Sequence, residues 1–458
     1  MDATTGRLVD FAMQTEFAGL PAQTVHECKR RLIDGFACAV GAYDEPVSAM
    51  ARAVAKRYSS ASGAMQASVW GCAWKTMPEA AVFANGTMLR FQDMSDTSLV
   101  KSRGHPSDVI AGVLAVGDAV HADGASVINA VTIAYDVYCS FCEAVDIIEK
   151  GLDNPVLGLA GCALGAGKLL KLSREQMGHA VAIALASNIA LEQTRSGDLS
   201  SWKGCAAANL MRNAVFATFL ARDGFEGPTA VIEGKSGLWD MVGHFDWDAS
   251  VAPGAQHRVA FTHMKSFPIC YHGQSAAWAA FDIRARVRVE DIREVRIGTY
   301  AKAVRMMGND PSRWAPGNRE TADHSLPYVV AVSLLDGELN SGSFADGRLT
   351  DPAVAGLMSK IRISESPEIS ARFPATAGCR LSISMASGEV VTSEIEHPKG
   401  HINNPLSDAD LDAKFRGMFR AYGSESQCNA VLQGLWSVDR AADIGDVLKL
   451  LITGRGDT

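Results

Sequence analysis

Four short runs of this chain hold most of the side chains able to move protons or grip anions. The first runs from Ala84 to Thr97 and carries the paired acids Asp93 and Asp96 in text with little helical periodicity; Gly104-His-Pro-Ser107 follows, with Lys101 and Arg103 just before it. Proline suits the first turn of a helix and serine can cap one, so a helix is expected to start near His105. Backbone N–H groups at such an end favour a carboxylate. The same residues also fit an ordinary loop leading into a well-capped helix. The second run, Thr194 to Ala206, is a polar loop entering an Ala-rich helix with Lys203 in its first turn. The helix dipole disfavours a cation there, so an anion would explain the lysine, and so would plain solvation. The third, His263 to Gln274, places Lys265 and His272 within ten residues, enough for an acid, a base and a charge clamp. The fourth is Thr321-Ala-Asp-His-Ser-Leu-Pro-Tyr328, where His324 fits a structural role as well as a catalytic one.

Signals for metals and cofactors are poor. Cys139-Ser-Phe-Cys142 is a lone pair inside helical text, and an iron–sulfur cluster needs more thiolates. His121 and His179 lie on helical text and read as surface or core residues. Neither common Gly-rich phosphate loop nor a Gly-x-Ser-x-Gly elbow occurs. The expectation is a site without metal or cofactor.

The elements that must position these groups change character along the chain. To about Val242 the text is helical: Val25, Cys28, Leu32, Phe36 and Val40 stripe one face, and Val127 to Val145 makes another helix. Leu157 to Leu172 is apolar nearly all round and rich in small residues, as suits the middle of a bundle. After Lys265, strand-like alternation appears at Val295 to Tyr300 and Lys360 to Ser364, and Arg380 to Ile395 reads as a hairpin turning at Ser387-Gly388. From Ser407, a plausible N-cap, helix returns and is expected to pack back on the first part. The predicted architecture is mainly α: an all-helical domain over 1–264, completed by 401–458, and a smaller α+β domain over 265–400.

A chain of 458 residues with 47% hydrophobic and 21% charged side chains reads as a globular protein of two domains. Its net charge of −8 gives no support to a nucleic-acid surface, which needs clustered Lys and Arg. An anion-binding protein of this charge must gather its cations locally. Met1 to Leu20 carries Asp2, Asp10 and Glu16 without a continuous apolar stretch, and no uncharged run approaches a membrane span. Ten cysteines, mostly in Ala-rich helical text, read as buried reduced thiols. A cytoplasmic protein without membrane partners is expected.

Taken together the four runs resemble the MmgE/PrpD family, which includes 2-methylcitrate dehydratase, cis-aconitate decarboxylase and iminodisuccinate epimerase. The similarity spans nearly the whole chain: Asn85-Gly86 through Asp93, His105-Pro-Ser107, Gly158 to Leu172, Trp202-Lys-Gly204, Gly224 to Pro228, Lys265-Ser-Phe-Pro268, Ala322 to Tyr328, Pro398-Lys-Gly400 and Asn404-Pro-Leu406. The resemblance implies a helical domain with an α+β lid, a homodimer, no metal, and a site between the two domains. It puts Asp93 and Thr97 on an acid-bearing loop, His105 on the His-Pro-Ser element, Lys203 and Lys265 as carboxylate-holding lysines, His272 in a Tyr-His-x-Gln pattern, and Tyr328 at the end of the Ser-Leu-Pro-Tyr element. Where relatives often carry histidine, this chain has Asn154, which hydrogen-bonds but cannot titrate.

The reaction so implied is proton removal alpha to a carboxylate of a small polycarboxylate such as 2-methylcitrate, with loss of water. Its hard step puts more charge on an anion, so cations aimed at the carboxylates matter most. Lys203, Lys265, Arg103 and the helix start at His105 are expected to clamp the substrate, with Thr97 beside them. Asp93 or His105 would take the proton, and His272 or Tyr328 would protonate the departing hydroxyl. An epimerase or decarboxylase sharing the proton chemistry, and a non-catalytic carboxylate-binding protein, are the other readings.

Overall fold

The computed structural model describes residues 1–59 and 65–453. Its N-terminal part is a bundle whose helices include Ala22–Gly41, Pro78–Phe91, Asp108–Ala119, Gly124–Ala144, Leu159–Leu169, Arg174–Ala186 and Trp202–Arg222. Small residues decide how closely these pack. A Cβ on Gly161 would lie 2.5 Å from the Ala134 carbonyl oxygen, and one on Gly165 would lie 2.7 Å from that of Ala130. The apolar Leu159–Leu169 helix therefore rests almost backbone to backbone on Gly124–Ala144. The latter is long and apolar enough to cross a membrane, yet 89% of its most apolar window is buried inside the fold. Its faces are consumed by packing.

Two helices set the site. Pro78–Phe91 and Trp202–Arg222 run side by side in opposite directions: Gly86 abuts Ala208, and Gly204 abuts Phe91. The end of the first, with Asp93 just beyond it, thus meets the start of the second, with Lys203 in its first turn. Two short antiparallel strands, Ser98–Leu99 and Arg103–Gly104, then turn the chain toward His105.

The second part carries a four-stranded sheet in the order Ile361–Glu365, Ile292–Thr299, Cys379–Met385, Val390–Ile395, the first pair parallel and the others antiparallel. Alternating burial along Cys379–Met385 puts one face on the Gln274–Arg284 helix, which packs in turn on Leu326–Asp336. The hairpin turns at Gly388, whose φ of 90° suits glycine. The buried apolar side chains form two main clusters. One joins Leu8 through Met264 with Leu406 through Leu451; the other spans Ile269 to Val391. The helix Asp408–Phe419 packs on Ala22–Gly41, and Ser407 caps it by accepting from the Asp410 N–H. All ten cysteines are buried, and none forms a disulfide among the described residues.

One local expectation is corrected. The helix after His105 begins at Asp108, and Ser107 forms no side-chain cap. The N–H of Ser107 is instead given to Asp96 Oδ1 at 2.9 Å. An internal carboxylate already holds the anion position that the sequence offered to a substrate, because Asp96 is fully buried and needs the donor.

Candidate active site

Asp93 is the meeting point. It follows the Pro78–Phe91 helix with φ 49°, a left-handed conformation that aspartate tolerates better than most residues. Lys265 donates to its backbone carbonyl at 2.7 Å and lies 3.1 Å from its Oδ1. Arg90 Nη1, one helical turn earlier, donates to Oδ1 at 2.9 Å. Lys203 Nζ stands 3.9 Å and His324 Nε2 3.7 Å from Oδ2. Burial alone would raise the Asp93 carboxyl, but Lys265, Lys203 and Arg90 outweigh it and hold it well below the usual carboxylate range. Such a group is a firm anion and a poor base.

A second carboxylate completes the arrangement. Lys203 donates to both Asp323 oxygens, at 2.9 and 3.1 Å, and its ammonium lies 3.2 Å from His324 Nδ1. His324 Nδ1 also hydrogen-bonds Asp323 Oδ1. Burial and Lys203 push the His324 ring down, yet Cys270 and Asp323 overcome them and leave it above the ordinary histidine value. It is a proton donor between two carboxylates. Asp93, Asp323 and His324 offer atoms within 4.8 Å of one another, as a metal site would. The Lys203 ammonium fills the cation's place, so a divalent ion would have to displace a fixed like charge.

His105 is the other titratable ring. Nδ1 lies 2.8 Å from the Asp96 carbonyl oxygen, which can only accept, so Nδ1 carries the proton and Nε2 keeps its lone pair. Thr97 Oγ1 lies 3.2 Å from the same Nδ1, and the Thr97 backbone pairs with His263. Burial, then Arg90 and Lys265, hold the ring well below its ordinary value, hence neutral. Tyr138 joins it to the short 3-10 helix Asn154–Gly158, its hydroxyl accepting from the His105 N–H at 3.0 Å and donating to the Asn154 carbonyl at 3.3 Å. Asn154 Oδ1 accepts from Arg195 Nη2 at 3.0 Å.

The remaining sequence candidates lie apart from Asp93 in their hydrogen bonding. His272 pairs with the Tyr300 hydroxyl at 2.6 Å, and burial followed by Arg103 and Lys302 keeps it neutral. Arg103 is matched by Glu192 at 2.6 Å. Tyr328 is buried in the second core and gives its hydroxyl to the Ser343 carbonyl at 2.7 Å, so it does not join the cluster. Sequence reasoning missed Arg90 and Asp323 and left His324 open. The i, i+3 spacing of Arg90 and Asp93 was the available signal.

The sequence pattern of the MmgE/PrpD N-terminal domain matches residues 6–249, and that of the MmgE/PrpD C-terminal domain matches residues 267–437. The chain belongs to the MmgE/PrpD family. The match leaves this member's own chemistry to be read from its residues. Its relatives include the 2-methylcitrate dehydratases of Cupriavidus necator and Escherichia coli K12, each 26% identical over 86% of this chain and 85% of the relative. The cis-aconitate decarboxylase of Mus musculus is 28% identical over 87% of this chain and 83% of the relative. The C-terminal family pattern includes the Asp408–Phe419 helix, although that helix adds its apolar face to the N-terminal core.

Proposed function

We propose that this MmgE/PrpD protein is a lyase that removes a proton alpha to a carboxylate of a small polycarboxylate and expels water, with 2-methylcitrate its substrate. The observation that carries the reading is the buried meeting of Lys203, Lys265 and His324 at Asp93. Cations fixed in a dry site stabilise charge that develops on a substrate carboxylate, and they need no rearrangement when it forms. His105 acts as the base through its free Nε2, because Asp93 is held too firmly ionised. His324 acts as the acid and protonates the leaving hydroxyl, the role the sequence offered to His272 or Tyr328. Thr97 and Asp96 hold the His105 tautomer, and Arg103 with Lys302 and His272 provides a second polar group for a distal carboxylate. No metal or organic cofactor enters this scheme.

The 265–400 region serves as a lid over the helical domain, since Asp323 and His324 come from it and Lys203 and Asp93 do not. Exposed Val54, Tyr58, Met77 and Trp202, on or beside the ends of neighbouring helices, support a homodimer, which sedimentation equilibrium tests. A cytoplasmic setting suits ten cysteines that form no disulfide.

A decarboxylase is the second reading, supported by the mouse relative and by Asn154, which cannot titrate. Loss of CO2 generates the carbanion without a base, and His324 would then supply the proton. Turnover on 2-methylcitrate, citrate, cis-aconitate and iminodisuccinate, with and without chelator, separates the readings. An unsaturated product from 2-methylcitrate is expected; CO2 from cis-aconitate alone would replace the dehydratase by the decarboxylase. Ligand-induced thermal stabilisation without turnover on any of them would make the protein a binding relative.

A further inference from the structure

Behind Asp93 lies a carboxylate that the scheme above does not use. Asp108 opens the helix Asp108–Ala119 and its side chain is completely enclosed. Neither of its oxygens accepts a hydrogen bond, and Arg90 Nε stands 3.2 Å from Oδ1. The same guanidinium gives Nη1 to Asp93 on its other side, and Arg90 Nη2 is buried without a partner. One cation is thus divided between a carboxylate of the site and a carboxylate outside it. The other charged or titratable neighbours are Arg195 from the 192–195 turn, Asp96 and Asp153 from their loops, and Tyr138 from Gly124–Ala144. The Cys162 thiol meets the helix a turn further on, at Gly112.

We propose that Asp108 is a positioning residue that couples proton uptake to binding of the anionic substrate, acting through Arg90. Arg90, Lys203, Lys265 and the raised His324 ring face Asp93, Asp323 and Asp108. Protonating Asp108 leaves a surplus positive charge and lets Arg90 act wholly on Asp93. Burial outweighs the neighbouring arginines and pushes the Asp108 carboxyl up to about 7, so the exchange falls in the working range of pH. An arriving polycarboxylate favours the protonated form, and by reciprocity protonation favours the polycarboxylate. The inference rests on the anion-binding reading of the site.

The test is calorimetry of the unreactive tricarballylate (propane-1,2,3-tricarboxylate) in phosphate and Tris near pH 7, corrected for the ligand's own titration. The wild-type protein is expected to take up part of a proton on binding, and its affinity to weaken by up to about tenfold per pH unit above 7. Asp108→Asn should abolish the uptake and flatten the affinity between pH 6 and 8, whereas His324→Gln should retain the uptake. Binding without proton exchange in the wild type, or uptake surviving in Asp108→Asn, overturns the inference. If Asp108→Asn does not fold, loss of the uptake in His324→Gln overturns it equally. Failure of tricarballylate to bind at any pH removes the anion-site reading, and this inference with it.

Discussion

Lys265 grips Asp93 twice, by its backbone carbonyl at 2.7 Å and by its carboxylate at 3.1 Å. One buried ammonium therefore fixes both the left-handed backbone of that residue and the direction of its side chain. A left-handed non-glycine residue costs roughly 1–2 kcal/mol, and a lysine bond to its carbonyl offsets part of that.

Lys265→Ala and Lys203→Ala should each lower turnover at least about a hundredfold, the scale of losing one electrostatic stabiliser. Lys265→Ala should also lower the melting temperature, since it takes from the buried Asp93 one of its three cations and the donor to its backbone carbonyl. Near-normal kcat/KM in both variants would remove the clamp from the mechanism.

His105→Ala should abolish activity and leave soluble, folded protein. Nitrogen NMR should find the wild-type ring neutral at pH 7 with its proton on Nδ1, because burial holds it well below its ordinary value. An imidazolium signal at that pH would disqualify it as the base.

Asp323→Asn should shift the basic limb of the pH–rate profile to lower pH. Asp323 is one of the groups that raise His324, so the ring gives up its proton earlier without it. The sign for stability agrees. A ring raised in the folded state stabilises it fully below the unfolded value, and that contribution is lost as pH rises through the folded value. In the variant this pH dependence of the melting temperature should shrink; an unchanged profile would detach His324 from acid catalysis.

Gly161→Ala tests the bundle. The new methyl would lie 2.5 Å from the Ala134 carbonyl oxygen, so the two helices must part, at a cost of about 1–3 kcal/mol. Urea denaturation should show an earlier midpoint; a wild-type midpoint would mean that the helices are less closely held.

Periodicity made the helices of the first part and the strands of the second legible, because each pattern reports which side is buried. The change of character after Lys265 falls where the two apolar clusters part, at Met264 and Ile269. The site was legible only in pieces. Lys203, Lys265 and Asp93 stand out by type and placement, but their convergence depends on helix packing around Gly86 and Ala208. Asp323 stood in the fourth run without an assigned role, since nothing local reveals a partner 120 residues away. Ser107 misled for a related reason: capping rules weigh the residue itself, and Asp96 took the N–H from outside the helix.

The Lys203–Asp323 bond ties the first turn of a bundle helix to a loop of the sheet-bearing part. If those two parts separate to admit a ligand, both ends lose their partner at once. The first anion to arrive then steps into a vacancy shaped for a carboxylate. Entry becomes an exchange of one carboxylate for another, and neutral molecules of the same outline have nothing to offer in trade.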